Sequence, residues 1–182
     1  MVGGVFSNVA EQYDVMNDAM SLGVHRAWKN YFIDQIGPIK KRRVLNDKNQ
    51  FTDELLPLRV LDVAGGTGDI SFKILQKSKS DNPYSNDLSV DITVSDINPD
   101  MLEVGKKRAI EQGIYHDLRF MVANAEELTE VKDETMDLYT IAFGIRNVTN
   151  RDKALREAYR VLRPGGRFMC LEFSEVVVPG FK

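Results

Sequence analysis

Hydrophobic and polar positions change their spacing about a third of the way along the chain. Up to Ile36, apolar side chains such as Val9, Tyr13 and Met16 recur every three or four positions, which is the spacing of one face of a helix. A second helical segment, MSLGVHRAWKNYFIDQI, completes this region. Residues 37–57 are polar and irregular, and we interpret them as a linker.

After residue 57, short apolar runs alternate with amphipathic segments. The predicted strands are LRVLDVA, VDITVSDI, LRFMVANA, MDLYTIAFG and RFMCLEFS. The predicted helices are DISFKILQK, PDMLEVGKKRAIEQG and RDKALREAYRVLRPGG, with RPGG as a tight turn into the last strand. Strands that alternate with helices are typical of a mostly parallel sheet covered on both faces. The pattern therefore predicts a doubly wound α/β domain that follows a helical N-terminal extension.

Composition narrows the class of protein without identifying it. The chain has 182 residues, is 43% hydrophobic and carries a net charge of −3, which fits a globular domain and argues against nucleic-acid binding driven by overall charge. The basic run KKRR is interpreted as solvated surface. Cys170 lies in an apolar run and is expected to be a buried thiol. His25 and His116 form no credible metal cluster, so no metal site is predicted. The N-terminus lacks the basic start and apolar core of a signal peptide.

The stretch AGGTGD joins the first of these strands to its helix. Glycine permits a positive φ angle and a close approach by a ligand, so residues 65–68 are candidates for cofactor binding: Gly65, Gly66, Thr67 and Gly68. A dinucleotide fingerprint needs a third glycine where this chain has Ser71, and Asp69 would repel a pyrophosphate. A cationic ligand such as S-adenosylmethionine is favoured, with a dinucleotide as the alternative.

The next two strands end in further candidate binding residues. Asp96, followed by Ile97, is placed to accept hydrogen bonds from ribose hydroxyls. Asp96 could instead cap the following helix, a role that Asn98 could also fill. Asn124 and Ala125 lie where an adenine edge would be read, although NAE alone is also compatible with a loop and a helix cap.

Several longer motifs resemble one enzyme family. VLDVAGGTGDIS, DINPDML, ANAEEL, FGIRNVTNRDKALREAYRVLRPGGRFMCLEFS and VFSNVAEQYDVMNDAMSLGVHRAWK occur in the order found in ubiquinone/menaquinone biosynthesis C-methyltransferases. The resemblance covers nearly the whole chain. Apparent insertions at about residues 41–56 and 78–89 make the chain most similar to the eukaryotic mitochondrial members. The family continues for about seventy more residues, which implies that C-terminal strands are missing here.

The resemblance implies a class I S-adenosylmethionine-dependent fold and a specific reaction. The expected reaction transfers a methyl group from S-adenosylmethionine to a ring carbon of 2-polyprenyl-6-methoxy-1,4-benzoquinol in ubiquinone biosynthesis. The expected location is the matrix face of the mitochondrial inner membrane, with peripheral membrane contact. Expected partners are other ubiquinone-biosynthesis proteins, with a homodimer possible. The alternatives are a largely non-catalytic scaffold subunit and a methyltransferase for another small aromatic substrate.

Three residues are candidates for the chemistry. Arg146, which follows the fourth strand, would stabilise a developing phenolate or polarise a water, because arginine stays protonated. Asn147 would orient the quinol oxygen, and His25 would be an acid–base group near the ring. Each also has a structural interpretation, as an ion pair or clamp, a turn cap and a packing residue, respectively.

The resemblance also suggests how the chain is divided. Residues 1–57 would be a helical lid and linker, residues 58–174 the S-adenosylmethionine-binding domain, and residues 175–182 an incomplete tail. Some apolar residues of the lid could form a wall for a polyprenyl chain, although helical spacing of such residues more often indicates ordinary core packing. These residues are Tyr13, Met16, Met20 and Trp28.

Overall fold

A computed structural model of the chain describes residues 23–45, 50–85 and 87–173. The predicted helical pattern before residue 23, including Tyr13, Met16 and Met20, lies outside the described residues, as does the predicted tail at 175–182.

The described part of the chain alternates between strands and helices beyond its first segments. The helices are α1 (His25–Asp34), α2 (Asp69–Asp81), α3 (Pro99–Glu111) and α4 (Arg151–Val161). The strands are β1 (Arg42–Leu45), β2 (Phe51–Leu56), β3 (Leu58–Val63), β4 (Val90–Asp96), β5 (Leu118–Val122), β6 (Met136–Ala142) and β7 (Leu162–Leu171). Short 3₁₀ turns occur at Tyr115–Asp117 and Ile145–Asn147.

Strands β3 to β7 form a parallel sheet in the order β5-β4-β3-β6-β7. The chain proceeds from β3 outward through β4 and β5, and then returns to β6 on the other side of β3. This reversal creates a topological switch point between β3 and β6, where ligands bind in folds of this kind. The predicted doubly wound α/β fold is confirmed.

Apolar side chains pack on both faces of this sheet. On one face Val60 and Ile92 pack with residues of α1 and α2, such as Phe32 and Ile74. On the other face, Leu61 and its neighbours pack with Ala154, Ala158 and Val161 of α4. Adjacent residues of one strand therefore point to opposite faces, and both faces are apolar, as expected for a parallel sheet covered by helices.

Helix α1 is held by the sheet as well as by α2. Phe32 and Ile33 are buried in the core. The guanidinium of Arg167, in β7, donates hydrogen bonds to the carbonyl oxygens of Gln35 and Ile36, each at 2.8 Å. These carbonyls follow the last turn of α1, where helix carbonyl groups lack partners within the helix. The side chain of a distant strand thus caps α1.

The interpretation of residues 37–57 as an irregular linker was wrong. Strands β1 and β2 pair antiparallel within this segment, with Arg42 opposite Leu56 and Arg43 opposite Leu55. All six residues of β2 are exposed or partly exposed. A strand pair without a buried face has no strict alternation of apolar and polar residues, so it gives little sequence signal.

Two predictions about the C-terminal region were also wrong. Helix α4 ends at Val161, and RPGG lies within β7, where the pairing with β6 jumps from Met136–Leu162 to Leu138–Arg167. RPGG is therefore a bulge inside the strand and neither the end of a helix nor a separate turn. Cys170 is exposed. It points away from the buried Met169, on the strand that forms one edge of the described sheet.

Candidate active site

A cavity of about 420 Å³ lies at the carboxyl ends of β3, β4, β5 and β6. Its walls come mainly from the loops that follow these four strands, and it spans the switch point between β3 and β6. Both its size and its position are typical of a small-molecule site in an open α/β sheet. A second cavity, of about 600 Å³, is lined by residues of α2, α3 and the segment after α3, and Asp69 at the start of α2 lines both cavities.

The glycine-rich loop after β3 forms one wall of this cavity. Gly66 has a φ angle of +53°, and a Cβ there would lie 3.2 Å from Met101 Cε. A Cβ on Gly65 would lie 2.9 Å from Val94 Cγ1. Gly65, Gly66 and Thr67 all line the cavity, as the sequence predicted for a cofactor loop. The lack of Cβ atoms lets this backbone pack closely while it faces the cavity.

Gly68 is not among the residues that line the cavity. It caps α2 with a φ angle of +83°, and a Cβ there would lie 2.7 Å from Phe72 Cε1. Glycine is needed here for the left-handed backbone and for packing against Phe72.

Asp96 connects the end of β4 to the glycine loop. Its Oδ2 accepts a hydrogen bond from the backbone N–H of Gly66 at 2.9 Å, and its Oδ1 accepts one from Asn98 at 2.8 Å. Burial raises the pKa of Asp96, although backbone hydrogen bonds from Asn98, Gly66 and Ile97 oppose the shift. Asn98, and not Asp96, is the N-cap of α3 and accepts from Asp100 N–H. The carboxylate of Asp96 thus faces the cavity, which Ile97 also lines.

Asn124 and Ala125 form the wall after β5. Asn124 Oδ1 accepts a hydrogen bond from the backbone N–H of Glu126 at 3.0 Å. The side-chain oxygen takes part in a local turn, while the amide nitrogen can donate to a ligand. Ala125 is buried, with 8% of its surface exposed.

Asp62, the penultimate residue of β3, is a buried acid that the sequence analysis missed. It is 1% exposed and lines the cavity beneath the glycine loop. Its carboxylate accepts hydrogen bonds from Ser71 Oγ and Thr140 Oγ1, both at 2.7 Å. Burial raises the pKa of Asp62 to about 6, although these two hydroxyls oppose the rise. An aspartate within the apolar run VLDVA was the available signal.

Lys29 is a second missed residue, and it comes from α1. It is 8% exposed and lines the cavity, and its Nζ donates to Asp69 Oδ2 at 2.7 Å. Burial alone would raise the pKa of Asp69, but the adjacent Lys29 ammonium holds it below its usual value. The signal was a polar residue on the face of α1 that also carries the buried Phe32 and Ile33.

Backbone strain is present where β3 and β6 end. Ala64 and Phe143 adopt φ angles of 51° and 56°, and both line the cavity. A Cβ on Gly144 would lie 2.5 Å from Ala64 Cβ. Left-handed conformations at non-glycine residues cost on the order of 1–3 kcal/mol each and are concentrated at functional sites. Two of the three described non-glycine residues with a positive φ angle thus lie at the switch point, whereas the third, Glu134, lies outside the cavity.

The structure places only one of the three predicted catalytic residues among the described residues that line the cavity. Asn147 lines the cavity. Arg146, beside it, donates from Nη1 to Glu172 Oε1 at 2.9 Å and stacks 4.9 Å from the ring centre of Phe173. His25 begins α1 and is 3% exposed. Neither Arg146 nor His25 is among the described residues that line the cavity.

The described residues offer neither a membrane-spanning helix nor a metal-binding cluster. In residues 23–45, 50–85 and 87–173, no helix is long and apolar enough to span a bilayer. The same ranges contain no group of three or more His, Cys, Asp or Glu side chains that could hold a metal ion.

Comparison with known proteins identifies the family. The model of the ubiE/COQ5 methyltransferase family matches residues 1–182. The chain belongs to the ubiE/COQ5 methyltransferase family. The resemblance predicted from the sequence motifs is thereby confirmed.

Curated relatives come from both bacteria and eukaryotes. The ubiquinone/menaquinone biosynthesis C-methyltransferase UbiE of Nitrobacter hamburgensis is 51% identical over 99% of this chain and 62% of its own length. The mitochondrial 2-methoxy-6-polyprenyl-1,4-benzoquinol methylase of Schizosaccharomyces pombe is 48% identical over 97% of this chain and 53% of its own length. The chain thus spans between half and two thirds of the length of these ubiE/COQ5 relatives.

Solved structures support the fold of this ubiE/COQ5 chain. A putative S-adenosylmethionine-dependent methyltransferase from Methanococcus maripaludis superposes with a TM-score of 0.63. The superposition covers 88% of this chain and 61% of the other, with 15% sequence identity. At this identity the similarity shows the class I methyltransferase fold.

Proposed function

We propose that the protein transfers a methyl group from S-adenosylmethionine to a ring carbon of a 2-polyprenyl-6-methoxy-1,4-benzoquinol in ubiquinone biosynthesis. The observation that carries the proposal is the convergence of the glycine loop, Asp96 and Asn124–Ala125 on one cavity at the strand ends. Membership of the ubiE/COQ5 family and the printed name of the Schizosaccharomyces pombe relative support the reaction and the substrate.

The lining of the cavity supports the binding of S-adenosylmethionine in this proposal. Gly65 and Gly66 leave no room for side chains on the loop, so a ligand can lie against the backbone. Asp96 presents a carboxylate for the two ribose hydroxyls, and Asn124 presents an amide for the adenine edge. When bound, S-adenosylmethionine would supply an electrophilic methyl group on a sulfonium centre.

The wall after β6 is the proposed position for the quinol ring. Phe143 and Val148 offer apolar surface there, and Asn147 and Thr149 offer polar side chains. A ring carbon becomes nucleophilic when the neighbouring hydroxyl loses its proton, so the protein must favour the phenolate. In this proposal, Asn147 orients the phenolic oxygen by a hydrogen bond.

Arg146 is the proposed source of positive charge for this phenolate. Arg146 precedes Asn147 in the chain, and its guanidinium is held by Glu172 and the ring of Phe173 just outside the described lining of the cavity. A fixed cation near the developing negative charge stabilises the phenolate, so that the hydroxyl can release its proton to solvent water. The ring carbon would then bond to the methyl group as the methyl–sulfur bond breaks, and the proton on that carbon would also leave to water. Arg146 thus has an electrostatic role, whereas the buried His25 is less suited to act as an acid–base group.

The surroundings of the enzyme are also part of the proposal. A long apolar substrate requires contact with a membrane surface, and the mitochondrial relative from Schizosaccharomyces pombe favours the matrix face of the inner membrane. Association with other ubiquinone-biosynthesis proteins and formation of a homodimer remain predictions. The division into a lid at 1–57, a cofactor domain at 58–174 and a tail at 175–182 remains a prediction as well.

Calorimetry and mass spectrometry together test this function. We expect the protein to bind S-adenosylhomocysteine but not NAD⁺. We also expect it to add one labelled methyl group to a short-tail quinol when isotope-labelled S-adenosylmethionine is present. Binding without transfer would favour a scaffold role, transfer only to another aromatic compound would replace the substrate, and preferential binding of NAD⁺ would overturn the proposal.

A further inference from the structure

Helix α1 contributes Lys29 to a cavity whose other lining residues all lie between positions 62 and 149. We propose that the Lys29 ammonium binds the carboxylate of the amino-acid end of S-adenosylmethionine, and that the bound cofactor thereby holds α1 against the site. This inference rests on the proposed function, since it assumes that S-adenosylmethionine occupies the cavity.

Charge is the first reason for assigning this role to Lys29. Among the described residues that line the cavity, Lys29 is the only lysine or arginine, whereas four carry carboxyl groups: Asp62, Asp69, Asp96 and Glu126. The amino-acid end of the cofactor has both an ammonium and a carboxylate. A carboxylate placed in this cavity needs a cationic or N–H partner, and Lys29 is the cationic side chain available to it.

The geometry of Lys29 is the second reason. Its side chain is 10% exposed, and its Nζ donates a hydrogen bond of 2.7 Å to Asp69 Oδ2. An ammonium group has three N–H donors, and Asp69 occupies one of them. The Lys29–Asp69 pair therefore presents a positive and a negative group side by side, which is complementary to the two charges of an amino acid.

The order of the strands gives the direction of the ligand. Asp96 ends β4 and Asn124 follows β5, and both strands lie on one side of β3. Asp69 begins the helix that follows β3, and Lys29 reaches it from α1. A nucleoside held by Asp96 and Asn124 consequently directs its amino-acid end toward β3 and the Lys29–Asp69 pair.

Paired ligands test the contact directly. S-adenosylhomocysteine and its decarboxylated form differ only in the carboxylate, so the ratio of their dissociation constants isolates that group. In the wild-type chain we expect S-adenosylhomocysteine to bind more tightly by about tenfold or more, as a charged hydrogen bond provides. In Lys29→Gln this preference should be lost, with the affinity for the decarboxylated ligand changing less than about twofold, well inside one tenfold step.

Lys73→Gln is a matched control for this measurement. Lys73 also joins α2 to α1, since its Nζ donates to Asn30 Oδ1 at 2.9 Å, but it does not line the strand-end cavity. We expect this variant to retain the wild-type ratio, and Lys29→Arg to retain most of it. A Lys29→Gln variant with an unchanged ratio would overturn the inference and leave the proposed function intact. If the wild type bound neither ligand, the proposed function itself would fail.

Hydrogen exchange of the wild-type chain provides a test without any variant. If the carboxylate ties the cofactor to Lys29, S-adenosylhomocysteine should slow amide exchange in residues 25–34 more than its decarboxylated form does, with both ligands at saturation. Equal exchange rates in α1 with the two ligands would contradict the inference. Equal rates are the result expected if Lys29 only joins α1 to α2 and does not contact the ligand.

Discussion

The carboxylate of Asp96 lies 2.9 Å from the backbone nitrogen of Gly66, so the end of β4 is hydrogen-bonded to the glycine loop after β3. The same carboxylate faces the cavity. The backbone of the glycine loop thus fixes the position of Asp96, the residue proposed to bind the ribose. The same loop would contact the rest of the cofactor.

Replacing Asp96 tests this position. We expect Asp96→Ala to weaken S-adenosylhomocysteine binding by about 1.5–3 kcal/mol, the contribution of hydrogen bonds to a charged group. Isothermal titration calorimetry measures the change. Asp100→Ala removes an exposed carboxylate from the first turn of α3 and should leave the affinity near the wild-type value. An unchanged affinity in Asp96→Ala would remove this residue from the binding site.

Alanine variants of two glycines with similar backbone angles distinguish the cost of backbone strain from the cost of a steric clash. Gly68 and Gly113 have φ angles of +83° and +67°, but only a Cβ on Gly68 would approach another residue, at 2.7 Å from Phe72. We expect Gly113→Ala to lower the free energy of unfolding by about 1–2 kcal/mol through the left-handed backbone alone. Gly68→Ala should lose about a further 1–3 kcal/mol because Phe72 must move. Urea denaturation measures both, and equal losses would show that Phe72 yields freely.

The raised pKa of Asp62 predicts how the free energy of unfolding depends on pH. Burial raises its pKa from 3.8 to about 6 in the folded protein, so between these values the folded state binds more protons than the unfolded state. The stability that Asp62 contributes is therefore complete below about pH 4 and is lost as the pH rises toward 6, by up to about 3 kcal/mol. Asn cannot ionise, so the free energy of unfolding of Asp62→Asn minus that of wild type should increase over this range.

Asp69→Asn is a control for which we expect the opposite dependence of stability on pH. The adjacent Lys29 lowers the pKa of Asp69, so its contribution is present above the unfolded pKa and is lost as the pH falls. Its variant-minus-wild-type difference should therefore decrease as the pH rises. Denaturation curves at several pH values test both directions, and parallel curves for the two variants would refute the assignment.

If Arg146 acts electrostatically on the phenolate, its loss should lower turnover without weakening cofactor binding. We expect Arg146→Ala to lower kcat for methyl transfer by about 10²–10³-fold, as the loss of one donor to a developing oxyanion does. The affinity for S-adenosylhomocysteine should stay near the wild-type value. Arg151→Ala removes an exposed neighbour that donates to the carbonyl oxygen of Arg146, and we expect it to retain turnover. Loss of stability with normal turnover per folded molecule would instead make Arg146 a structural clamp.

Much of the fold and one wall of the site followed from local patterns. The strand–helix alternation after residue 57 predicted the parallel sheet, and parallel strands bring their carboxyl ends to one edge. The sequence alone therefore places the glycine loop, Asp96 and Asn124 together at this edge. Each lies at the end of a predicted strand, so its position depends on topology more than on detailed packing.

Other residues depend on contacts that no local pattern contains. Lys29 meets Asp69 across 40 positions of sequence, and this contact arises only when α1 packs on α2. Hairpin β1–β2 lacked a buried face, and the exposure of Cys170 depends on its place in an edge strand. Periodicity describes which face of an element is apolar, but it does not tell which neighbour covers that face.

The contact between Arg167 and the end of α1 has a consequence for synthesis of the protein. Helix α1 is made early, yet the guanidinium that caps its final carbonyl groups arrives 131 positions after Ile36. On the ribosome, the cap of α1 can therefore form only after β7 has emerged. Until then, the side-chain hydrogen bonds described above join α1 to the growing chain through α2 alone.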